Sequence, residues 1–342
     1  MTVPPQMIFT PPPSLRIERF SPRAITSRAD VEAIVDLINI CRQADQIDRY
    51  TFVAEFEADL NHPRLDPTRD FQIWEDSDRQ IVAYANLWTE AETQDPLEGY
   101  LGFQIHPSVR QTDVPAQLLE WAEARIREIG HKRGVGVCLR GSGRASQTDR
   151  IQFFESNGFK ADRWFYNMGR SLVDVPVVHT QVPEGFTIRP VQGTEEAKTW
   201  VEMFNQSFID HWNHHDLTLE DYHHEIEHDP EYKPELDLVA IAPDGTLAGF
   251  CVASIHTADN QQRNCREGWI NLLGTRRGFR RMGLGRALLL RGLQCLQQQG
   301  IDYAKIGVDS QNPNQAFALY ESVGFHRLHA CPTFIKLLST QE

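Results

Sequence analysis

A shift of 166 positions lays one half of this chain on the other. It carries Phe154-Glu155-Ser156-Asn157-Gly158-Phe159 onto Tyr320-Glu321-Ser322-Val323-Gly324-Phe325. It also carries Ile81-Val82-Ala83-Tyr84 onto Leu247-Ala248-Gly249-Phe250, each run preceded by a turn-like pair, Asp78-Arg79 and Asp244-Gly245. His62 falls on His228 under the same shift. The chain has 342 residues, long for one domain and comfortable for two. It therefore reads as two copies of one mixed α/β unit. The join falls at residues 174–184, where Pro176 and Pro183 give the composition of a linker. The predicted organisation is a proline-rich arm over 1–15, a first domain over 16–173, the linker over 174–184 and a second domain over 185–342.

The copies differ at one turn. In the second half an apolar, strand-like run, Trp269-Ile270-Asn271-Leu272-Leu273, leads to Arg280-Arg281-Met282-Gly283-Leu284-Gly285. A helix-like run follows from Ala287. Glycines let a backbone approach an anion closely, and the first amides of a helix have no partner within it. The helix dipole favours negative charge there, and Arg280, Arg281 and Arg286 add to it. The chain carries a formal charge of -13, so this cationic turn is a local exception. The first half reads Arg110-Gln111-Thr112-Asp113-Val114-Pro115 at the same place. Asp113 adds the wrong charge for an anion, and Pro115 has no N–H to offer.

Beyond the turn, a strand over Tyr303 to Val308 leads to Asp309-Ser310-Gln311-Asn312-Pro313-Asn314. A short helix over Gln315 to Val323 then ends in Gly324-Phe325. This run resembles the GNAT superfamily of acetyl-coenzyme A-dependent acyltransferases. Arg280-x-x-Gly283-x-Gly285 matches that family's pyrophosphate motif. Asn312 through Ala316-x-x-Leu319-Tyr320-Glu321-x-x-Gly324-Phe325 matches its second signature. The tandem arrangement is similar to that of mycothiol synthase and its relatives, in which one domain is active and the other degenerate. The resemblance implies an α/β (α+β) fold of two tandem GNAT-like domains, each a mixed, mostly antiparallel sheet flanked by helices. Phe154 stands where Tyr320 stands, so the first half lacks the hydroxyl as well as the glycines.

The resemblance also assigns parts. Backbone amides over Arg281, Met282, Gly283, Leu284, Gly285 and Arg286 would hold the pyrophosphate of acetyl-CoA. The pantetheine arm would pair with the strand at Leu272, Leu273 and Thr275, and Asn312 would touch the cofactor through its side chain. Tyr320 matches the position used as general acid toward the departing thiolate; its plain alternative is packing between helix and strand. The family's tandem members carry a carboxylate base on the strand before the glycine turn, and here Trp269 stands at that place. Glu267 lies two residues earlier on the same side of a strand and is the candidate base. Asp309 and the histidines of the first helix region are other candidates. Phe208, His211, Trp212 and Tyr222 are candidates to line the acceptor, with aromatic faces suited to a sugar or an apolar group. Their plain alternative is packing of a helix pair.

The expected activity is acetyl transfer to a small-molecule primary amine, by direct attack and in the C-terminal half alone. Two alternatives stay open: a non-catalytic acyl-CoA sensor, and an N-acetyltransferase acting on protein. His224-Glu225-Ile226-Glu227-His228 also satisfies H-E-x-x-H, the spacing of zinc proteases. No third-ligand signature follows it, and no metal is expected. The acidic balance argues against a nucleic-acid binder, which needs a basic face. No apolar run approaches the ~20 residues that span a bilayer. Six scattered cysteines without a C-x-x-C pair suit a reducing cytoplasm. A monomer or weak dimer is expected.

Overall fold

The structure is a computed structural model that describes residues 20–62, 64–90, 95–178, 181–212, 214–228 and 231–339. The proline-rich arm lies outside the described residues. The first half runs β1 (Ser21–Arg23), α1 (Arg28–Ala44), α2 (Val53–Leu60), β2 (Phe71–Glu75), β3 (Ile81–Thr89) and β4 (Leu97–Ile105). It continues with α3 (Val114–Arg133), β5 (Val137–Ser142), α4 (Thr148–Ser156) and β6 (Lys160–Ser171). The second half repeats that succession with one added helix. It runs β7 (Thr187–Pro190), α5 (Ala197–Phe208), α6 (Leu219–His228), β8 (Asp237–Ile241), β9 (Leu247–Ser254), α7 (Thr257–Arg263) and β10 (Glu267–Thr275). It ends with α8 (Leu284–Gln298), β11 (Tyr303–Asp309), α9 (Ala316–Ser322) and β12 (His326–Leu338).

Local chemistry explains the boundaries. Ser27 caps α1 by accepting from the Asp30 amide, and Asp30 accepts from the Ser27 amide in return. α3 ends at Gly134, whose φ of 69° places it in the left-handed region that a glycine enters freely. Along β4, buried and half-buried residues alternate without a break, so one face meets the core.

The twelve strands among the described residues form one sheet, in the order β1-β2-β3-β4-β5-β12-β6-β11-β10-β9-β8-β7. Only β4 with β5 and β10 with β11 run parallel. The centre of the sheet holds an exchange. β6, from the first half, pairs with β11 of the second, and β12, from the second half, pairs with β5 of the first. The two exchanged strands also pair with each other. A cut at residues 174–184 thus separates the halves in sequence but not in space.

Helices cover both faces. α1 and α2 pack on one side of the first half, and α3 packs on the other. α5 and α6 cover one side of the second half, and α8 and α9 the other. No helix among the described residues is long and apolar enough to cross a membrane.

One core carboxylate gives the fold a pH dependence. Asp237 opens β8 and is 2 % exposed. It accepts from Trp200 Nε1 at 3.2 Å and from the Tyr232 hydroxyl at 3.1 Å. Burial pushes its pKa up to about 6, against the pull of those two bonds. The folded state then binds the proton more tightly than the unfolded one, so stability is lost as pH rises through about 6. Between pH 5 and pH 7.5 the loss from this group is about 1.4 kcal/mol. Asp237→Asn keeps partners for both neighbours and should flatten that slope. Denaturant unfolding at the two pH values measures it, and equal slopes for the two proteins would refute the assignment.

Candidate functional site

The glycine turn lies where β10 hands over to α8. Gly283 caps α8 with φ 87°, and Arg281 also has a left-handed φ, 63°. A non-glycine residue in that region costs of the order of 1 kcal/mol, and such strain is a recurrent mark of functional loops. None of the amides from Arg281 to Arg286 donates to another backbone group among the described residues. Arg281, Met282 and Gly283 are exposed, Gly285 is half-buried, and Leu284 is anchored in the core. Arg286 reaches the Ser322 hydroxyl at 2.7 Å.

Arg280 does a different job from the other two arginines. Its guanidinium reaches Asp210 at 2.6 Å, the Ser207 carbonyl at 2.8 Å and the Thr275 carbonyl at 3.2 Å. With those contacts made, it pins the turn to the end of α5 and is not free for a phosphate. Arg110 makes the matching contacts in the first half, to the Ile105 carbonyl at 3.2 Å and Asp45 at 2.8 Å. The arginine common to both turns therefore holds the turn's shape, whatever the turn binds.

The first-half turn has spent or lost most of its donors. The Thr112 amide donates to the Val109 carbonyl, and the Ala116 and Gln117 amides donate to the Asp113 carbonyl. The Val114 amide donates to the Thr112 hydroxyl, and Pro115 has no amide hydrogen. Beside this turn lies a cleft of about 840 Å³ whose lining includes Phe103, Arg110, Thr112 and Arg150. Arg150 bridges the two strands that part there. It donates to the Ser142 carbonyl of β5 at 2.6 Å and the Phe103 carbonyl of β4 at 3.0 Å. Its guanidinium carbon stands 3.9 Å from the Phe103 ring centroid. The same shift of 166 places Ala316 at this position in the second half, a side chain too short to bridge the strands.

The matching strands of the second half also part. β10 and β11 pair only from Glu267–Tyr303 to Ile270–Ile306, although they run on to Thr275 and Asp309. Against β9, β10 steps its register between Ile270 and Leu272, which leaves Asn271 as a bulge. Asn271 is exposed and donates to the Ser254 hydroxyl at 2.9 Å. Leu272, Leu273 and Thr275, half-buried, follow the bulge along the stretch that has no pairing with β11. β3 and β4 have no such step. The sequence reading missed Asn271; its one signal was a polar residue inside an apolar run.

Tyr320 lies on α9 and is 6 % exposed, in one core cluster with Cys251, whose strand partner is Leu273. Burial pushes its phenol well above the ordinary value, and Cys251 adds to that. Such a phenol stays protonated at neutral pH. Asn312 follows β11 and accepts from the Asn314 amide at 2.8 Å, which leaves its side-chain NH₂ for another partner.

Glu267 is not at this place. It lies four residues before the bulge, roughly 13 Å along the strand at ~3.3 Å per residue. Its carboxylate meets Lys305 at 2.7 Å and Arg263 at 2.5 Å. Burial alone would raise its pKa, but these two cations outweigh that and hold it below the usual range. A carboxylate so paired is a weak base, and Glu267 is corrected here to an ion-pair residue. The Asp309 carboxylate accepts two bonds from Arg163, at 2.7 and 2.8 Å.

The four acceptor candidates separate. Tyr222 is 2 % exposed and packs on Trp200 at 4.9 Å between ring centroids, so it is a core residue and offers no wall. Phe208 stacks on Phe204 at 4.8 Å and is partly buried in the same cluster. His211 packs on Phe208 at 5.2 Å, and its Nδ1 lies 3.0 Å from the Trp212 carbonyl. Trp212 reaches across to the other half, with its ring centroid 4.8 Å from the Arg140 guanidinium and 5.0 Å from that of Arg163. In the H-E-x-x-H stretch, the His224 ring packs 4.7 Å from His62 of the first half. The side chains of Glu225 and His228 lie outside the described residues.

Residues 197–325 match the family model for acetyltransferases of the GNAT family. The mycothiol acetyltransferase of Thermobispora bispora is 30% identical over 248 residues, covering 72% of this chain and 77% of its own. That of Salinispora arenicola is 26% identical over 337 residues, covering 95% and 98%. Among solved structures, a GCN5-related N-acetyltransferase from Sphaerobacter thermophilus has a TM-score of 0.71 at 25% identity, over 93% of this chain and 95% of that one. A tandem GNAT protein from the clavulanic acid biosynthesis pathway shares the fold, with a TM-score of 0.68 at 15% identity over 95% and 100%.

Proposed function

We propose, for a chain that belongs to the acetyltransferase (GNAT) family, that its C-terminal half moves an acetyl group from acetyl-CoA to the primary amine of a small molecule by direct attack. The observation that carries this reading is the run of undonated amides from Arg281 to Arg286, at the turn that follows the stretch of β10 parted from β11. Six consecutive amides at a helix start, with Arg281 and Arg286 beside them, suit a pyrophosphate. The peptide groups of Leu272, Leu273 and Thr275 lack a partner on β11 and suit an extended amide-bearing arm. The bulge at Asn271 turns a β10 amide out of the ladder, where it can polarise a carbonyl. Bound acetyl-CoA supplies the thioester.

Tyr320 then gives its proton to the departing thiolate. A phenol held neutral by burial is suited to that task. Neither expected carboxylate position among the described residues suits the base role, since Trp269 occupies the family's position and Glu267 is tied to Lys305 and Arg263. The amine then arrives neutral, or loses its proton to water or to a histidine of the first helix region. The relatives named mycothiol acetyltransferase support a small-molecule acceptor. The Trp269 difference argues that the acceptor is not the same one.

That missing base also favours a second reading, an acyl-CoA sensor without turnover. Release of free thiol from acetyl-CoA with a panel of amines separates the two. Thiol release with any amine supports transfer; tight binding with no release from the whole panel supports the sensor. Tyr320→Phe should lower kcat about 100-fold and leave acetyl-CoA affinity within a factor of about 2. Phe154 already fills the matching site in the first half, so the variant should pack. Full activity in the variant would remove Tyr320 as the acid.

A further inference from the structure

We propose that Arg163, a residue of the N-terminal half, is a positioning residue of the C-terminal site and sets the affinity for the acyl donor. The inference rests on the proposed contact between Asn312 and the donor. It explains what the half with the spoiled turn contributes.

Because β6 lies beside β11, the loop that leaves β11 runs along residues of the other half. The Ser310 amide donates to the Trp164 carbonyl at 3.0 Å. Arg163 grips Asp309 with two bonds, 2.8 and 2.7 Å, and reaches the Gln311 carbonyl at 3.5 Å. Asp309 passes that hold along the loop. Its carboxylate accepts from the Gln311 amide at 2.9 Å, and its carbonyl accepts from the Asn312 amide at 3.2 Å. Asn312 in turn accepts the Gln315 amide at 3.1 Å, immediately before α9 and Tyr320. One guanidinium thus holds the backbone of the loop that presents Asn312 and starts the helix bearing Tyr320.

The pair is built for position. The Arg163 side chain is 14% exposed and the Asp309 side chain 1%. A bidentate Arg–carboxylate pair at that depth has little rotational freedom, and a lysine cannot reproduce its fork. The Trp212 ring centroid lies 5.0 Å from the same guanidinium, which thereby also braces the loop that follows α5. The first half shows the reciprocal arrangement without the arginine. There the Ala145 amide donates to the Ala330 carbonyl of β12 at 2.8 Å, and the Gly143 amide to Pro332 at 3.4 Å.

The test measures donor affinity and turnover separately. Arg163→Met should raise the KM for acetyl-CoA, and the dissociation constant of CoA by calorimetry, about tenfold, with kcat within a factor of about 3. Arg163→Lys should fall between, since it keeps the charge and loses the fork. Arg64→Met serves as control: Arg64 also pairs across the halves, with Asp221, but far in sequence from the loop. It should leave both constants unchanged. Should Arg163→Met fail to fold, Arg163→Lys still reads the affinity. Wild-type binding of CoA with equally tight binding by the folded Arg163 variants overturns this inference alone. A wild-type chain that does not bind CoA overturns both it and the reading of the glycine turn. A fall in kcat with unchanged KM also overturns it.

Discussion

Gly283→Val is expected to abolish detectable binding of acetyl-CoA, a loss of more than about 100-fold, or ~2.7 kcal/mol. Two effects add. Gly283 has φ 87°, and a β-branched side chain there costs of the order of 1–2 kcal/mol, so the turn must leave the geometry that presents its amides. The added side chain also stands where a ligand must approach. The protein itself does not resist it: the nearest heavy atom to a Cβ at 283 is Pro183 Cγ at 4.0 Å. The variant should therefore stay folded, with a melting temperature lower by a few degrees, and lose the ligand. Calorimetric titration with acetyl-CoA reads the affinity, and an affinity equal to wild type would remove the turn as the phosphate site.

The C-terminal half alone, residues 185–342, is expected not to fold. Among the described residues β12 pairs with β5 and β6 alone, and both belong to the first half. β11 would lose the seven register pairs that join it to β6. At a net ~0.5–1.5 kcal/mol per hydrogen bond, the loss rivals the whole ~5–15 kcal/mol by which domains are stable. Nor can β12 simply move into the gap. It is antiparallel to β6, which is antiparallel to β11, so it runs parallel to β11 and would have to turn round to replace β6. Residues 20–173 and 185–342, co-expressed as two chains, should associate and recover donor binding. A soluble, monomeric 185–342 with native circular dichroism and full activity would overturn this.

How much could be read in advance differs from residue to residue. The glycine turn was legible because its chemistry is local: Gly283 supplies a positive φ, and a helix start leaves amides unmatched. Asp113 and Pro115 announced the spoiled turn in the same way. Two other features of the first half were not legible. Nothing in the string shows that Thr112, Val114, Ala116 and Gln117 spend their amides inside the turn, or that Arg150 bridges β4 and β5. The candidate base failed for a related reason. Strand parity put Glu267 on the right side of β10, but parity says nothing of how far along the strand a group sits or which cations meet it. Tyr222 had a suitable type and neighbourhood, and only packing against Trp200 shows that it faces inward.

The sequence alone determined the family and pointed to the turn at 280–285 that is proposed to hold a phosphate, because each is written in contiguous residues. The tertiary structure decided how the halves share their last strands, and with it which half braces which site. β6 and β12 are both plain antiparallel partners, and neighbouring residues cannot encode which fifth strand each will join. That choice depends on all twelve strands closing one sheet, which is why Arg163, 146 positions from Asp309 in the chain, became its partner.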